Sequence, residues 1–254
     1  MSRYYPKDYY SFSDEYKKIS FIRRWRRTLR NKYKLFGKGL LGRFFCLFHS
    51  DFMSKVQIPW RTDQSILDVG CGNGQLLRSM QQCGFTDLTG ADPFIKEDLY
   101  LSDGLRILKK NIHEIAGKYD IIMLHHSLEH MPDQYLVCEA ITRLLNENGY
   151  VIIRIPIFSQ FLSDEFGKYC YSWDPPRHFY LHSLESFHML INKFGLKVVQ
   201  HMEEPAFSVI RGSERYRSQD LGVPARSRSE LDKIYRKMQK LHQTDYRIFV
   251  LQKK

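Results

Sequence analysis

Ile66-Leu67-Asp68-Val69-Gly70-Cys71-Gly72-Asn73-Gly74-Gln75-Leu76-Leu77 reads as a short apolar strand that enters a glycine-rich turn and leaves it as a helix. Gly70, Gly72 and Gly74 let the backbone turn tightly and bring a ligand against bare main chain. The spacing G-x-G-x-G is not the G-x-G-x-x-G of a dinucleotide pyrophosphate site, and no G-K-[ST] follows, so a Walker-type phosphate loop is excluded. Twenty-four positions after Asp68, Asp92 closes a second apolar run, Leu88–Ala91. An acidic residue there can accept hydrogen bonds from both hydroxyls of a ribose, provided the strand order reverses beside the first strand.

Outward from this turn, short apolar runs alternate with helical stretches. The runs are Ser65–Val69, Leu88–Ala91, Tyr119–Leu124, Tyr150–Ile155, Leu196–His201 and Tyr246–Leu251. The helical stretches are Gln75–Cys83, Tyr135–Asn146 and Leu184–Phe194. Gly84, Gly149 and Gly195 stand where each helix is expected to end in a left-handed cap. The alternation predicts an α/β fold, a doubly wound parallel sheet with crossover helices.

The chain of 254 residues has an ordinary globular composition, 43% hydrophobic and 26% charged, which excludes a disordered chain. Its most apolar stretch, Gly39–Phe48, contains Arg43 and is about half of the roughly 20 residues that a membrane span needs. The start, MSRYYPKDYYSF, lacks the apolar core of a secretory signal. Five scattered cysteines without a CxxC pair argue against a disulfide framework and a zinc ribbon. These features predict a cytoplasmic protein.

Charge is unevenly spread. Residues 1–65 carry 15 Lys/Arg against 5 Asp/Glu, residues 66–200 carry 12 against 16, and residues 201–254 carry 12 against 7. The basic ends point to an anionic partner: a membrane surface, a phosphate-bearing substrate or nucleic acid. Ile22, Trp25, Leu29, Tyr33 and Phe36 form one apolar helical face among Arg23, Arg24, Arg26, Arg27, Arg30, Lys32 and Lys34. Gly37, Gly39 and Gly42 interrupt this pattern before Phe44, Phe45, Leu47 and Phe48. The basic amphipathic helix is read first as a lid packed on the domain, with its stripe buried. The second reading is peripheral docking on an anionic membrane surface. Ser229–His242 reads as a second basic helix, capped by Ser229, with Leu231, Ile234, Tyr235, Met238 and Leu241 as its stripe.

The ordered blocks LDVGCGNG, GADP, YDIIMLHHSLEHMPD, LLNENGYVIIRIP and PRHFYLHSLESFHMLINKFGLKVV resemble the class I S-adenosylmethionine-dependent methyltransferases over roughly residues 64–202 and 244–251. The last block and LEH resemble the ubiquinone-type O-methyltransferases. YYSFS at 9–13, WDPPRHFYLHS and RGSERY resemble methyltransferases of bacterial polysaccharide clusters. The resemblance implies a Rossmann-like seven-stranded sheet of order 3-2-1-4-5-7-6, its last strand antiparallel. It divides the chain into a basic helical N-terminal extension (1–60) and a methyltransferase domain (61–254) with an insertion at 203–243. It implies S-adenosylmethionine as cofactor and S-adenosylhomocysteine as product. By position, Asp68, Gly70, Cys71, Gly72 and Gly74 hold the amino-acid part of the cofactor and Asp92 its ribose. Pro93 and Phe94 flank the adenine, Asn111 and Ile112 contact it, and His125 lines the sulfonium side. Ser213-Glu214-Arg215-Tyr216 faces the acceptor.

Methyl transfer to a hydroxyl needs alignment and a proton acceptor of near-neutral pKa, for which histidine is best suited. His178, in Trp173-Asp174-Pro175-Pro176-Arg177-His178-Phe179-Tyr180, is the first candidate and His126 the second. In this loop Trp173 and Tyr180 can offer flat faces to a sugar ring, and Arg177 a forked contact to phosphate. His126-Ser127-Leu128-Glu129-His130 matches the inverted zincin pattern H-x-x-E-H, but it follows a strand rather than lying on a long helix. A peptidase is therefore set aside; the ubiquinone-type resemblance implies a divalent metal on His126, Glu129 and His130 as the weaker reading, no metal is assigned, and Glu129 and His130 are read as ordering the loop. The expected acceptor is a glycan, nucleotide-sugar or lipid-linked saccharide, and the alternative is a small aromatic or quinone-like molecule. An RNA methyltransferase or nucleic-acid-binding protein is the further alternative, against which stands the absence of any RNA-binding signature. A protein that binds the cofactor without catalysis is opposed by the intact motifs. The sequence carries no signal for oligomeric state.

Overall fold

The computed structural model describes residues 20–37, 39–46, 55–101 and 104–254. The YYSFS motif at 9–13, the apolar pair at 47–48 and most of the first 60 positions other than two helices lie outside them.

Eight strands form one sheet: β1 (Ser65–Val69), β2 (Asp87–Ala91), β3 (Leu99–Tyr100), β4 (Leu105–Leu108), β5 (Tyr119–His125), β6 (Leu145–Pro156), β7 (Leu196–Glu203) and β8 (Tyr246–Lys253). Their order is β3-β4-β2-β1-β5-β6-β8-β7. This is the expected seven-strand order with the two-residue β3 added at one edge. The five strands from β4 to β6 are parallel, and β8 runs antiparallel to both β6 and β7.

Successive side chains of the central strands enter opposite layers, as the two-residue period of a strand requires. Leu67, Ile122 and Ile153 pack with Val137 and Ile141 of α4 (Gln134–Leu144) and with Phe187 and Ile191 of α6 (Leu184–Lys193). Their neighbours Ile66, Ile121 and Ile152 pack on the other face with Leu77 and Met80 of α3 (Gln75–Cys83), Phe85 and Trp60. Full burial of each such side chain stabilises by roughly 1.5–3 kcal/mol. Because α3 covers one face and α4 the other, the chain changes sides at β1, leaving a crevice beyond the carboxyl ends of β1 and β5.

A smaller apolar cluster joins α5 (Gln160–Phe166), α7 (Phe207–Leu221) and α8 (Arg228–Lys240) through Leu162, Phe166, Val209, Ile210, Leu231 and Met238. The cap of α8 lies two residues before the expected one. Ser227 accepts from the Glu230 amide while the Glu230 carboxylate accepts from the Ser227 amide, a reciprocal box that Ser229 cannot make from inside the first turn. Leu231 and Met238 of its stripe are buried, whereas Leu241 is exposed.

Gly84 and Gly195 hold left-handed caps, with φ of 108° and 69°, but Gly149 does not. It lies inside β6, where a Cβ would meet the Asp120 carbonyl at 2.9 Å, so its lack of a side chain serves close packing rather than helix termination.

Two helices precede the sheet, α1 (Phe21–Phe36) and α2 (Leu40–Cys46). The stripe expected to be buried as a lid is divided. Ile22 and Trp25 are exposed, while Leu29 and Tyr33 are half-buried where Gly42 of α2 meets them. The domain is contacted by Phe36, the last residue of the stripe, whose ring stacks on Phe85 at 5.9 Å, by Thr28, which bonds Gln82 at 3.2 Å, and by the buried Leu35. These contacts fall at the far end of α3 from the glycine turn, so the described helix is no lid on that turn. No helix among the described residues is long and apolar enough to cross a membrane.

Candidate active site

The glycine turn is closed by its own backbone. Gly70, Gly72 and Gly74 have φ of 76°, 55° and 74°, values that side chains rarely adopt. The Gly70 amide donates to the Ala91 carbonyl at 2.7 Å, and the Gly72 amide donates to Asp92 Oδ2 at 2.8 Å. Asp92 Oδ1 accepts from the Phe94 amide at 2.9 Å. Asp92 thus ties the first turn to the second strand's end, at the place the ribose reading requires. Burial raises its pKa, opposed by those two amides.

Asp68 is buried beneath the turn. Burial first, and the Asp92 charge second, push its pKa up to about 7. A carboxyl held there near neutrality is completed by an incoming cation. Gly70 is excluded from bearing a side chain by Ser127, whose hydroxyl donates to the Val69 carbonyl at 2.7 Å. Gly74 is excluded by Ile107, 2.2 Å from where a Cβ would stand.

The Cys71 sulfur fills the space left by Gly90, 2.5 Å from a Cβ there, and burial raises the thiol's pKa well above its ordinary value. Phe94 is exposed and Pro93 half-buried at the mouth. Asn111 is exposed, with its amide bonded to Glu114 at 2.8 Å. The Ile112 side chain belongs to the core, which leaves only its backbone for a ligand. His125, the last residue of β5, is held neutral: burial, then Arg154 and His126, bring its pKa down to about 3.

Next to this crevice, a cavity of about 500 Å³ is lined by His126, Glu129, His130, Tyr171, Asp174, Arg177, His178, Ser208, Arg211, Gly212, Arg215 and Tyr246. Both candidate bases are therefore in one wall. His126 sits at φ 51°, a conformation uncommon outside glycine. Its amide still completes the strand ladder on the Arg154 carbonyl at 2.8 Å, and its Nδ1 lies 3.5 Å from Glu129 Oε1.

His178 Nδ1 is 2.9 Å from the Ser172 carbonyl. A carbonyl only accepts, so this nitrogen carries the proton and Nε2 keeps its lone pair. Asp174 Oδ2 lies 3.9 Å from that Nε2. Burial is the largest influence on the His178 pKa and lowers it. His130 is arranged in the same way, its Nδ1 at 3.0 Å from the Arg177 carbonyl, and the two rings stand 4.6 Å apart.

Glu129 and His130 do order the loop: the Glu129 carbonyl accepts from the Phe179 amide at 2.8 Å. They also reach the cavity. Ligand atoms of Glu129, His130 and His178 lie within 4.8 Å of one another, and buried Glu129 Oε2 has no hydrogen-bond partner among the described residues. This donor set suits a divalent cation.

Trp173 and Tyr180 are not among the cavity's lining residues. Trp173 packs on the α5–α7–α8 cluster, and the Tyr180 hydroxyl donates to the Pro132 carbonyl at 2.9 Å. Tyr171 and Tyr246 supply the aromatic surface instead. Tyr246 was legible in principle, because an antiparallel last strand begins where its parallel neighbours end, here opposite Pro156. Of Ser213-Glu214-Arg215-Tyr216, only Arg215 lines the cavity. Ser213 is buried and accepts from the Tyr171 amide, while buried Glu214 pairs with Arg217 and accepts from the Arg226 amide. Arg211, the first residue of RGSERY and one turn before Arg215 on α7, lines the cavity as well.

Comparison with known proteins agrees with this geometry. A family model described as a methyltransferase domain matches residues 24–201. A ubiquinone biosynthesis O-methyltransferase of Klebsiella pneumoniae (strain 342) is 35% identical over 99 residues, 35% of this chain and 40% of that one. The chain thus spans about 40% of the length of the curated relatives it matches. Among solved structures, the cyclopropane synthase MmaA2 of Mycobacterium tuberculosis superposes with a TM-score of 0.51 at 15% identity, over 74% of this chain and 78% of that one. Mycolic acid cyclopropane synthase CmaA1, complexed with SAH and CTAB, gives 0.52 at 15% identity over 75% and 78%. At such identity these two speak for the fold alone. The glycine turn and the parallel sheet that carries it fall within the matched family model, and on that ground the chain belongs to the methyltransferase domain family.

Proposed function

We propose that this protein transfers the methyl group of S-adenosylmethionine to a hydroxyl of an anionic, saccharide-type acceptor, a nucleotide-sugar or lipid-linked saccharide. The observation that carries the reading is the cavity lining: three arginines (Arg177, Arg211, Arg215), three histidines, two tyrosines and no aliphatic side chain. Arg211 and Arg215 stand one helical turn apart and exposed, suited to phosphate oxygens. Tyr171 and Tyr246 offer flat faces to a ring.

The cofactor lies along the glycine turn, its ammonium toward Asp68 and its ribose hydroxyls on Asp92. The sulfonium is already activated, so the protein's work is alignment and removal of one proton. The acceptor oxygen attacks the methyl carbon, the C–O bond forms as the C–S bond breaks, and the electron pair returns to sulfur. The hydroxyl proton passes to Nε2 of His178, whose Nδ1 is fixed by Ser172 and whose positive charge Asp174 offsets.

The test is release of S-adenosylhomocysteine in the presence of a nucleotide-sugar panel and, separately, of a catechol. Turnover with a nucleotide-sugar that falls with added salt supports the reading. Turnover with the catechol alone overturns it in favour of the quinone-like acceptor that the relatives' names suggest. A chelator arm tests the proton acceptor. Activity that survives chelation keeps that role with His178, whereas loss restored by Mg²⁺ or Zn²⁺ moves Glu129, His130 and His178 to ligand roles.

A further inference from the structure

Helices α1 and α2 form a hairpin whose outer surface the methyl-transfer reading leaves unused. Residues 20–46 hold nine Lys or Arg and no Asp or Glu. Five large apolar side chains are also exposed on the hairpin: Ile22 at 64%, Trp25 at 46%, Leu40 at 84%, Leu41 at 58% and Phe44 at 57%. Two of them, Trp25 and Phe44, are linked through Phe45, which meets Trp25 edge-on at 6.4 Å and Phe44 at 5.8 Å. Arg26 lies over the same Phe45 ring at 5.2 Å.

The hairpin is nonetheless anchored. Thr28 bonds Gln82, Leu35 enters the core, and Gly42 lets α2 approach α1 so closely that a Cβ would meet the Leu29 carbonyl at 2.5 Å. The two helices thus present a fixed surface of mixed apolar and cationic character. An acidic protein or nucleic acid would match the charges, but it would leave Leu40, Leu41 and Phe44 in water. A bilayer surface satisfies both, with apolar side chains at the acyl boundary and guanidinium groups among anionic headgroups.

We infer that the α1–α2 hairpin docks the protein on an anionic lipid bilayer by shallow insertion of Trp25, Leu41 and Phe44 between phosphate-bound arginines. The surface sits toward the Cys83 end of α3, away from the cavity lined by α7, so docking and methyl transfer are separable.

The experiment is co-sedimentation of the full chain with vesicles of phosphatidylcholine alone or with phosphatidylglycerol added, read alongside Trp fluorescence. Of the other two tryptophans, Trp60 is buried and Trp173 packs on the α5–α7–α8 cluster, so a blue shift on binding reports chiefly on Trp25. The expected result is binding to the anionic vesicles with a blue shift, reversed by high salt, and none to neutral ones. Arg23→Gln/Arg24→Gln/Arg43→Gln is expected to weaken binding by roughly 100-fold, from a factor of about five for each cation removed from the surface. Leu41→Asp/Phe44→Asp, at positions already in water, is expected to abolish the blue shift. Both variants are expected to keep wild-type affinity for S-adenosylhomocysteine. This retained affinity shows that they fold and separates docking from the methyl-transfer reading. Equal binding to neutral vesicles, no binding to anionic ones, or anionic binding untouched by either variant would overturn the inference.

Discussion

The two halves of the site are built by different means. The glycine turn and its two aspartates are made by backbone: amide-to-carboxylate bonds of 2.8 and 2.9 Å, three left-handed glycines, and neighbours packed so closely that Ser127 and Ile107 leave no room for a Cβ. The cavity beside it is made by side chains from the segment just after β5, the loop between α5 and α6, helix α7 and the start of β8. Backbone recognition suits a cofactor that never changes. Side-chain recognition on a separately packed helical cluster suits an acceptor that differs between relatives. Loss of function is therefore expected to divide cleanly, with changes in the first half altering cofactor affinity and changes in the second altering turnover or acceptor affinity.

The largest effect is expected at His178. His178→Ala should reduce turnover by roughly 10²–10⁴-fold while calorimetry with S-adenosylhomocysteine gives the wild-type affinity. Because burial lowers this histidine's pKa, the wild-type rate should hold through neutrality and fall only below the ordinary histidine range, as Nε2 takes a proton. A rate that already falls between pH 8 and 7 would speak for another base. Full activity in His178→Ala would move the role to His126.

Next comes Asp92→Ala. Loss of hydrogen bonds from the ribose to a carboxylate should weaken cofactor binding by about 1.5–3 kcal/mol, measured by calorimetry. At saturating cofactor, kcat should stay within a few-fold of wild type. A collapse of kcat with intact affinity would break the division between the halves.

Arg211→Ala and Arg215→Ala should act more mildly, each raising the acceptor KM by roughly 10-fold and reducing its salt dependence, without changing cofactor affinity. The smallest effect concerns protons. With the Asp68 pKa at about 7, binding a cofactor ammonium at pH 6 should release up to about one proton. The binding enthalpy should then vary with buffer ionisation heat, and Asp68→Asn should remove that variation.

Much of the first half was legible in sequence because backbone geometry leaves residue-type signatures. Gly70, Gly72, Gly74 and the Asp68–Asp92 pair stand in one contiguous stretch; the alternation of elements gave the parallel sheet, and the strand order was what the resemblance to the class I methyltransferases implied. Gly149 misled because a glycine required by close packing looks the same in sequence as one required by a left-handed cap. Ser229 misled because Ser227, two residues earlier, has a glutamate three positions on and Ser229 does not. The second half was legible only in part. His126, His178 and Arg177 sit beside recognisable motifs and Arg211 opens RGSERY, but Arg211 and Tyr246 are 85 and 120 positions from His126, and nothing in that spacing places them in one cavity. Only the packing of α7 and the antiparallel run of β8 bring them together. Trp173 looked like a platform because loop position says nothing of which way a ring turns, and here it turns into the helical cluster.

The most direct test of the account is a crystal structure with S-adenosylhomocysteine. The account predicts its ribose hydroxyls on Asp92, its amino-acid part along Gly70–Gly74 above Asp68, and its sulfur directed toward the cavity walls formed by His126 and His178. A ligand seated instead between Arg211 and Arg215, or lying on the turn with its sulfur directed away from the cavity, would contradict it.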